Sequence, residues 1–228
     1  MTIKYSLVIP CWNEEQSLKI LIPQLLSVVV ANDIEFLLVD NGSTDDTSKL
    51  FNKISNNNIT VITLDNNVGY GGGIKAGLIV AKGEFVGWIH SDLQYSIFEV
   101  IAELNKGPND AEYIKGKRRG RTLFQNYISL NMSVFESIMF GKLMYDINAQ
   151  PTLFRRDFIT KLTDIPNDFS IDLYSYVLAK KFKLRIRRFK VTFMKRGYGH
   201  STWNFGLSSL IKMSFRTMKY SFLLRKNL

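Results

Sequence analysis

The stretch from Trp88 to Ser96, WIHSDLQYS, ends an apolar run on one carboxylate, Asp92, and one amide, Gln94, two positions apart. Oxygen donors of this kind suit a hard divalent cation, Mg2+ or Mn2+, which usually fills its remaining positions with phosphate oxygens and water. Three earlier apolar runs end in the same manner. SLVIP leads to Asn13 and Glu14, EFLLV to Asp40 and Asn41, and ITVITL to Asn67 and Gly69. Any one of these polar ends is explained by an Asx turn or a helix cap. Four in series, at the same place in a repeating pattern, point to a shared ligand.

The pattern that must position them alternates. KYSLVIP, EFLLVD, ITVITL and EFVGWIH are short apolar runs of strand type. Between them lie segments with apolar residues at helical spacing, such as Leu18, Ile22, Leu25, Leu26 and Val29. The polar loop NGSTDDT offers Ser43 or Thr44 as cap for a helix through Leu50 and Phe51. Strands alternating with helices predict an α/β fold, a mostly parallel central sheet in a three-layer α/β/α sandwich. In open sheets of this kind ligands bind beyond the carboxyl ends of the strands. NVGYGGGIKAG follows the third strand instead of the first, so it is a tight loop near a ligand and not a dinucleotide fingerprint. Further on, 113–115 reads as a strand entering a basic loop, GKRRGR. Residues 123–145 read as an apolar helix, FKLRIRRFKVTFMKR as strands, and 205–225 as an amphipathic helix. In that last helix Leu207, Leu210, Ile211, Met218 and Phe222 form one stripe, and Lys212, Arg216 and Lys219 another.

The 228 residues suffice for one domain with a sizeable core. A single cysteine, Cys11, excludes a disulfide framework and a CxxC metal site, and two histidines leave little for zinc. The opening MTIKYSLVIPCWNEE is too poor in apolar residues and too soon acidic for a signal peptide. No window approaches the roughly 18 apolar residues of a membrane span. The formal charge is +10, unevenly spread: residues 173–228 carry 14 Lys and Arg and no acid. That asymmetry calls for an anionic partner. No helix-turn-helix, RNP or zinc pattern accompanies it, so nucleic acid is not expected.

SLVIPCWNEE, LLVDNGSTDDT, NVGYGGGIKAG and HSDLQ together resemble the inverting glycosyltransferases of family 2, with the GT-A fold. DLQ, GKRRG, NAQPTLFRRD and RGYGHST resemble in particular the dolichol- or polyprenyl-phosphate sugar transferases. The resemblance covers essentially the whole chain. It implies a GT-A domain over 1–200, with a nucleotide-binding half (1–105) and an acceptor half (106–200), followed by a basic amphipathic helix over 201–228. It implies transfer of a hexose from a UDP- or GDP-linked donor. Pro10, Asn13 and Glu14 would line the nucleotide pocket, with Asn41 and Ser91 beside them, and Asp40 would hydrogen-bond the base. Gly69 and Lys75 would belong to the loop and helix around the nucleotide. Asp92 would ligate Mg2+ or Mn2+, supported by Gln94, and Arg118 and Arg196 would meet phosphates. Two positions depart from the family pattern. His90 stands where the family usually has the first Asp of an Asp-x-Asp, and Ser201 is followed by Thr202 where a lysine is usual.

A hydroxyl acceptor needs a general base, for which Asp172 and Asp146 are the candidates. A phosphomonoester, with a second pKa of about 6, needs cationic positioning instead. The acid-free basic end favours a polyprenyl phosphate acceptor, presented at the inner, cytoplasmic face of the membrane by peripheral attachment to anionic lipid. A flexible loop at KRGYGHSTW, with His200 as a hydrogen-bonding loop residue, has the composition of a lid over the donor. Two alternatives stay open: extension of a lipid-linked surface polysaccharide through a sugar hydroxyl, and a non-catalytic membrane-binding protein with the same fold.

Overall fold

The computed structural model describes residues 3–29, 33–196 and 207–228. Seven strands form one mixed sheet: β1 (Tyr5–Cys11), β2 (Ile34–Asn41), β3 (Ile59–Leu64), β4 (Phe85–Trp88), β5 (Tyr113–Arg119), β6 (Thr152–Arg155) and β7 (Ile186–Thr192), in the order β3-β2-β1-β4-β6-β5-β7. β1 to β4 are parallel, β5 and β7 are parallel to each other, and β6 runs antiparallel between β4 and β5. The expected α/β sandwich with a mostly parallel sheet is therefore present.

Its layering follows from strand periodicity. Successive side chains of a strand face opposite sides of the sheet. In β1, Leu7 and Ile9 join one core with Leu18 and Leu25 of α1 (Glu15–Val29), while Val8 joins the other. In β2, Phe36 and Leu38 face the first core and Leu37 and Val39 the second. α2 (Thr47–Phe51) and α4 (Ile97–Leu104) add Phe51 and Ile101 to the first core. α3 (Tyr70–Val80) and α6 (Ile171–Lys181) cover the second with Ile74, Leu78, Leu173 and Val177. All of β1 and β2 is buried, as continuous apolar runs in a doubly covered parallel sheet require.

Several local expectations need correction. Neither Ser43 nor Thr44 caps α2, which begins at Thr47; both residues bond Asn13 instead. The basic GKRRGR segment is not a loop from its start. Pairing with β7 carries β5 through Arg119, so Lys117 and Arg118 are strand residues. The apolar helix α5 (Leu123–Phe140) stops short of 145 because Gly141, at φ 60°, takes the left-handed conformation that glycine adopts without strain. At its other end Thr122 and Gln125 form a reciprocal capping box. Near the C-terminus, FKLRIRRFKVTFMKR yields one strand, β7, and an isolated bridge from Phe193 to Tyr95.

The last helix, α7 (Leu207–Asn227), packs on α5. Tyr220, Ser221 and Leu224 pack inward and Met218 of the expected apolar stripe is half-buried, whereas Phe222 of that stripe is exposed. The side chains of Leu207, Leu210, Ile211 and Lys212 lie outside the description. Ser221 donates to Oε1 of Glu136 on α5, whose Oε2 is buried without a partner among the described residues. Burial pushes the Glu136 carboxyl up to about 7 from 4.5. The folded chain thus keeps a proton that the unfolded chain loses, and stability falls as pH rises from 4.5 to about 7. The full loss is on the order of 3 kcal/mol. Glu136→Gln is expected to abolish most of that slope, read as melting temperature between pH 5 and pH 8. A variant as pH-sensitive as the wild type would remove Glu136 as its source.

Candidate active site

The loops beyond β1, β2 and β4 open on a cavity of about 1110 Å3, closed on its far side by α5 and α7. Twelve of the candidate residues read from the strand ends and the family resemblance line it: Pro10, Asn13, Glu14, Asn41, Asn67, Gly69, His90, Ser91, Asp92, Gln94, Arg118 and Arg196. Asp40, Lys75 and Asp172 do not. The reasons are local. Asp40 is buried and accepts from the Ser43 N–H at 3.0 Å and from the Ser48 hydroxyl, so it organises the loop after β2. Lys75 projects from α3 into solvent. Asp172 sits inside the fold, taking Trp88 Nε1 at 3.2 Å and Gln150 Nε2 at 3.0 Å, with Lys115 Nζ at 3.7 Å.

The polar loops are knitted to each other. Asn13, at φ 54°, accepts from the Thr44 N–H at 2.8 Å. Asn41 donates to the Gly69 carbonyl at 3.0 Å and accepts from the Val68 N–H at 3.0 Å, fastening the β3–α3 loop to β2. Gly69 has φ 84°, and a Cβ there would lie 2.2 Å from the Asn167 carbonyl oxygen, so only glycine fits. Ser91 donates to the Pro10 carbonyl at 3.2 Å. Glu14 is bonded by Ser17 at 2.8 Å and by Arg196; burial nevertheless pushes its carboxyl up from 4.5.

Asp92 is 9% exposed, and its Oδ1 accepts from the Gln94 N–H at 3.1 Å. Leu93 between them is held at φ 60°, a conformation that costs energy in a branched residue and places both side chains on the cavity wall. Gln94 Nε2 donates to the Met194 carbonyl at 3.4 Å, and its Oε1 has no hydrogen-bond partner among the described residues. Among the described residues no group of three His, Cys, Asp or Glu could hold a metal unaided. One carboxylate and one amide oxygen do fit Mg2+ or Mn2+ with phosphate oxygens completing the shell.

The other wall is cationic and aromatic. Arg118 donates to Asp146 through its backbone N–H and its Nε, both at 2.7 Å. Burial opposes the Asp146 charge, but the Arg118 guanidinium more than compensates and holds the carboxyl below its usual range. Arg121 lies 4.0 Å from the same carboxylate, donates to Ser129 at 2.7 Å, and has a buried Nε with no partner among the described residues. Two guanidiniums thus share one acid, and both stand over the Phe193 ring. Arg121 was quoted in the sequence only as one of a basic run. The Thr122-x-x-Gln125 cap placed immediately after it was the signal that it opens α5 on the cavity. Tyr70, Phe169 and the α5 side chains Phe124, Ile128 and Met132 also line the cavity, and no sequence pattern marked them. Arg216 of α7 pairs with Asp168 at its rim. The remainder of RGYGHST after Arg196, with His200, Ser201 and Thr202, lies outside the described residues, and so does the lid expected there.

Residues 6–161 match the family described as glycosyl transferase family 2. Similar proteins include the undecaprenyl-phosphate 4-deoxy-4-formamido-L-arabinose transferases of Proteus mirabilis (strain HI4320) and of Yersinia enterocolitica. The first is 28% identical over 213 residues, covering 89% of this chain and 63% of the relative. The second is 25% identical over 220 residues, covering 93% and 65%. The chain thus spans less than two-thirds of the length of these relatives, 63% and 65%. Among solved structures, glucosyl-3-phosphoglycerate synthase from Mycobacterium tuberculosis, in complex with Mn2+, UDP and phosphoglyceric acid, superposes with a TM-score of 0.71 at 18% identity. The match covers 97% of this chain and 78% of that one. The sheet order, the loops at its carboxyl edge and the matched residues agree: the fold is of GT-A type, and the chain belongs to glycosyl transferase family 2.

Proposed function

We propose that the chain is an inverting glycosyltransferase that moves a sugar from a nucleoside-diphosphate donor to a polyprenyl phosphate at a membrane surface. The observation that carries this reading is the make-up of the two cavity walls. Asn13, Glu14, Asn41, Asp92 and Gln94 stand on one side; the Arg118–Arg121 pair and an apolar stretch of α5 stand on the other. The first wall suits a nucleoside diphosphate. Asp92 and Gln94 would hold Mg2+ or Mn2+, and a cation there supplies charge neutralisation for the leaving diphosphate. The solved neighbour with Mn2+ and UDP makes a UDP-linked donor the preferred one over a GDP-linked one. On the second wall, Arg118 and Arg121 would fix the acceptor phosphate by guanidinium hydrogen bonds. Its oxygen then attacks the anomeric carbon from the side opposite the diphosphate, which inverts that centre.

The acids that could serve as base for a hydroxyl acceptor are engaged elsewhere. Asp172 is 1% exposed within the fold, and Asp146 is bonded by Arg118. This favours the phosphate acceptor over extension of a lipid-linked saccharide, and the relatives named for undecaprenyl phosphate support it. Radiolabelled UDP-sugar incubated with undecaprenyl phosphate should give an organic-extractable monosaccharide product. Product formed only on a preassembled lipid-linked saccharide would establish the other acceptor. Arg121→Ala is expected to raise the KM for polyprenyl phosphate about 10- to 100-fold with donor KM unchanged, since one charged hydrogen bond is worth ~1.5–3 kcal/mol. An unchanged acceptor KM would take Arg121 out of the phosphate site.

The outer face of α5 supports the membrane surface. Leu123, Tyr127, Leu130, Val134 and Ile138 recur three or four residues apart, on one stripe, and all are exposed; Ile138 is 76% exposed. Phe215, Phe222 and Leu223 of α7 extend the apolar area, with Lys219, Arg225 and Lys226 beside them. Apolar faces edged by Lys and Arg bind anionic bilayers. Among the described residues no helix is long and apolar enough to cross one. Ile138→Glu is expected to shift the protein from the pellet to the supernatant in sedimentation with anionic vesicles; equal pelleting would remove this face as the attachment.

A further inference from the structure

His90 occupies the cavity wall two residues before Asp92, where a second carboxylate would double the acidic ligands for a cation. The surrounding hydrogen bonds define what it offers instead. Asp172 accepts from Gln150 Nε2 at 3.0 Å, which fixes the orientation of that amide, because its oxygen could not face a carboxylate. The same Nε2 is 3.5 Å from the Tyr70 oxygen. That hydroxyl, receiving from Gln150, has its own proton left to give, and its neighbour at 3.4 Å is His90 Nε2. Burial, with Asp172 and Asp92 adding to it, pushes the Tyr70 phenol well above 10.0, so the proton is there to donate. The His90 ring stacks on Tyr70 at 4.9 Å, and Tyr70 stacks on Phe169 at 4.5 Å, so the imidazole is held in place. If Nε2 accepts from Tyr70, the ring proton lies on Nδ1, which no protein group among the described residues meets.

We propose that His90 is a donor-binding residue and not a metal ligand: its Nδ1–H donates to an oxygen of the nucleoside-diphosphate sugar, and among the described residues Asp92 and Gln94 are the ones that hold the cation. This rests on the transferase reading above. A carboxylate at position 90 would accept from sugar hydroxyls and attract metal. An imidazole N–H set by Tyr70 does neither and selects an acceptor oxygen. Tyr70 and Gln150 act through His90, as positioning residues.

Four variants test it, each checked for fold by melting temperature. His90→Phe keeps the ring stack and loses the N–H. His90→Asn places an amide nitrogen near the Nδ1 position, and His90→Gln places its amide near the Nε2 position. Tyr70→Phe removes the hydroxyl that fixes the tautomer. Calorimetry is run with a panel of UDP- and GDP-linked hexoses and with UDP and GDP alone, and Mn2+ alone is titrated by EPR. His90→Phe is expected to weaken nucleotide-sugar binding about 10-fold, the worth of one hydrogen bond left unmade. His90→Asn should recover most of that loss, His90→Gln should not, and Tyr70→Phe should fall between. Mn2+ binding should be the same in all. A loss already present with UDP or GDP alone places the acceptor oxygen on the diphosphate; a loss confined to the sugar nucleotides places it on the sugar. Equal sugar-nucleotide binding by wild type and His90→Phe, or by wild type and His90→Gln should the first not fold, overturns the assignment. So does Mn2+ affinity that drops when His90 is replaced. Wild-type protein that binds no member of the panel overturns the transferase reading itself, and this assignment with it.

Discussion

Asp92→Ala is expected to reduce sugar transfer by at least about 10³-fold, with the melting temperature changed by only about 1–2 °C. Asp92 lines the cavity beside Gln94, and a cation held there would be worth several kcal/mol in stabilising the charge of a leaving diphosphate. Each ~1.4 kcal/mol is a factor of ten in rate. Its only intramolecular bond among the described residues is to the Gln94 N–H, so little stability depends on it. The measurement is initial rate at saturating Mn2+ beside a thermal melt. Full activity in the variant would sink the metal assignment. Lost activity with a much lower melting temperature would make Asp92 a folding residue.

The second large effect is on stability. Asp172→Ala is expected to cost about 3–5 kcal/mol, because it leaves a buried ammonium without its counter-charge. For a chain of this size that is a fall of roughly 10 °C in melting temperature. Lys115 is fully buried, bonds Thr152 at 2.7 Å, and is already lowered from 10.5 to about 8, burial outweighing the attraction of Asp172. Without Asp172 the ammonium would shed its proton at still lower pH. The unfolded chain then binds more protons than the folded one up to 10.5, so the variant should regain stability as pH rises toward that value. Thermal melts from pH 7 to pH 10 would show it. A catalytic base would behave otherwise: its loss would abolish transfer and leave the melt where it was.

Much of this architecture could be read in advance, for a definite reason. Strands buried on both faces need unbroken apolar runs, so β1 and β2 announce themselves, while the edge strand β3 shows as apolar residues interleaved with exposed Thr60 and Thr63; the polar residues just beyond them mark the edge where a ligand binds. What could not be read was which way each polar side chain turns. Asp40 and Asn41 are adjacent at one strand end, yet Asn41 reaches the cavity and Asp40 turns back to Ser43 and Ser48. Asp172 looked available as the last acid before a basic tail, but its position on α6 drives it into Trp88 and Gln150. β6 is four residues long and antiparallel to its neighbours, too short for a periodicity to declare it. Arg121 escaped notice because its importance comes from Asp146 and Phe193, partners supplied by distant parts of the chain.

The place of β6 bears on how the chain is made. β5 is synthesised before either of its partners: β6 begins 33 residues after its end and β7 begins 67 after it. At translation speeds of ~5–20 residues per second, β5 leaves the ribosome with both edges bare for about 2–7 s before β6 can reach it, and waits roughly 3–13 s for β7. The parallel β1–β4 block is already complete by then, so assembly divides into an early half that carries the cavity loops beyond β1, β2 and β4 and a late half that must be fitted into place beside it. Lys115, Lys117, Arg118 and Arg119 crowd that waiting strand with like charge, and a strand so charged repels a second nascent copy of itself until the antiparallel partner arrives.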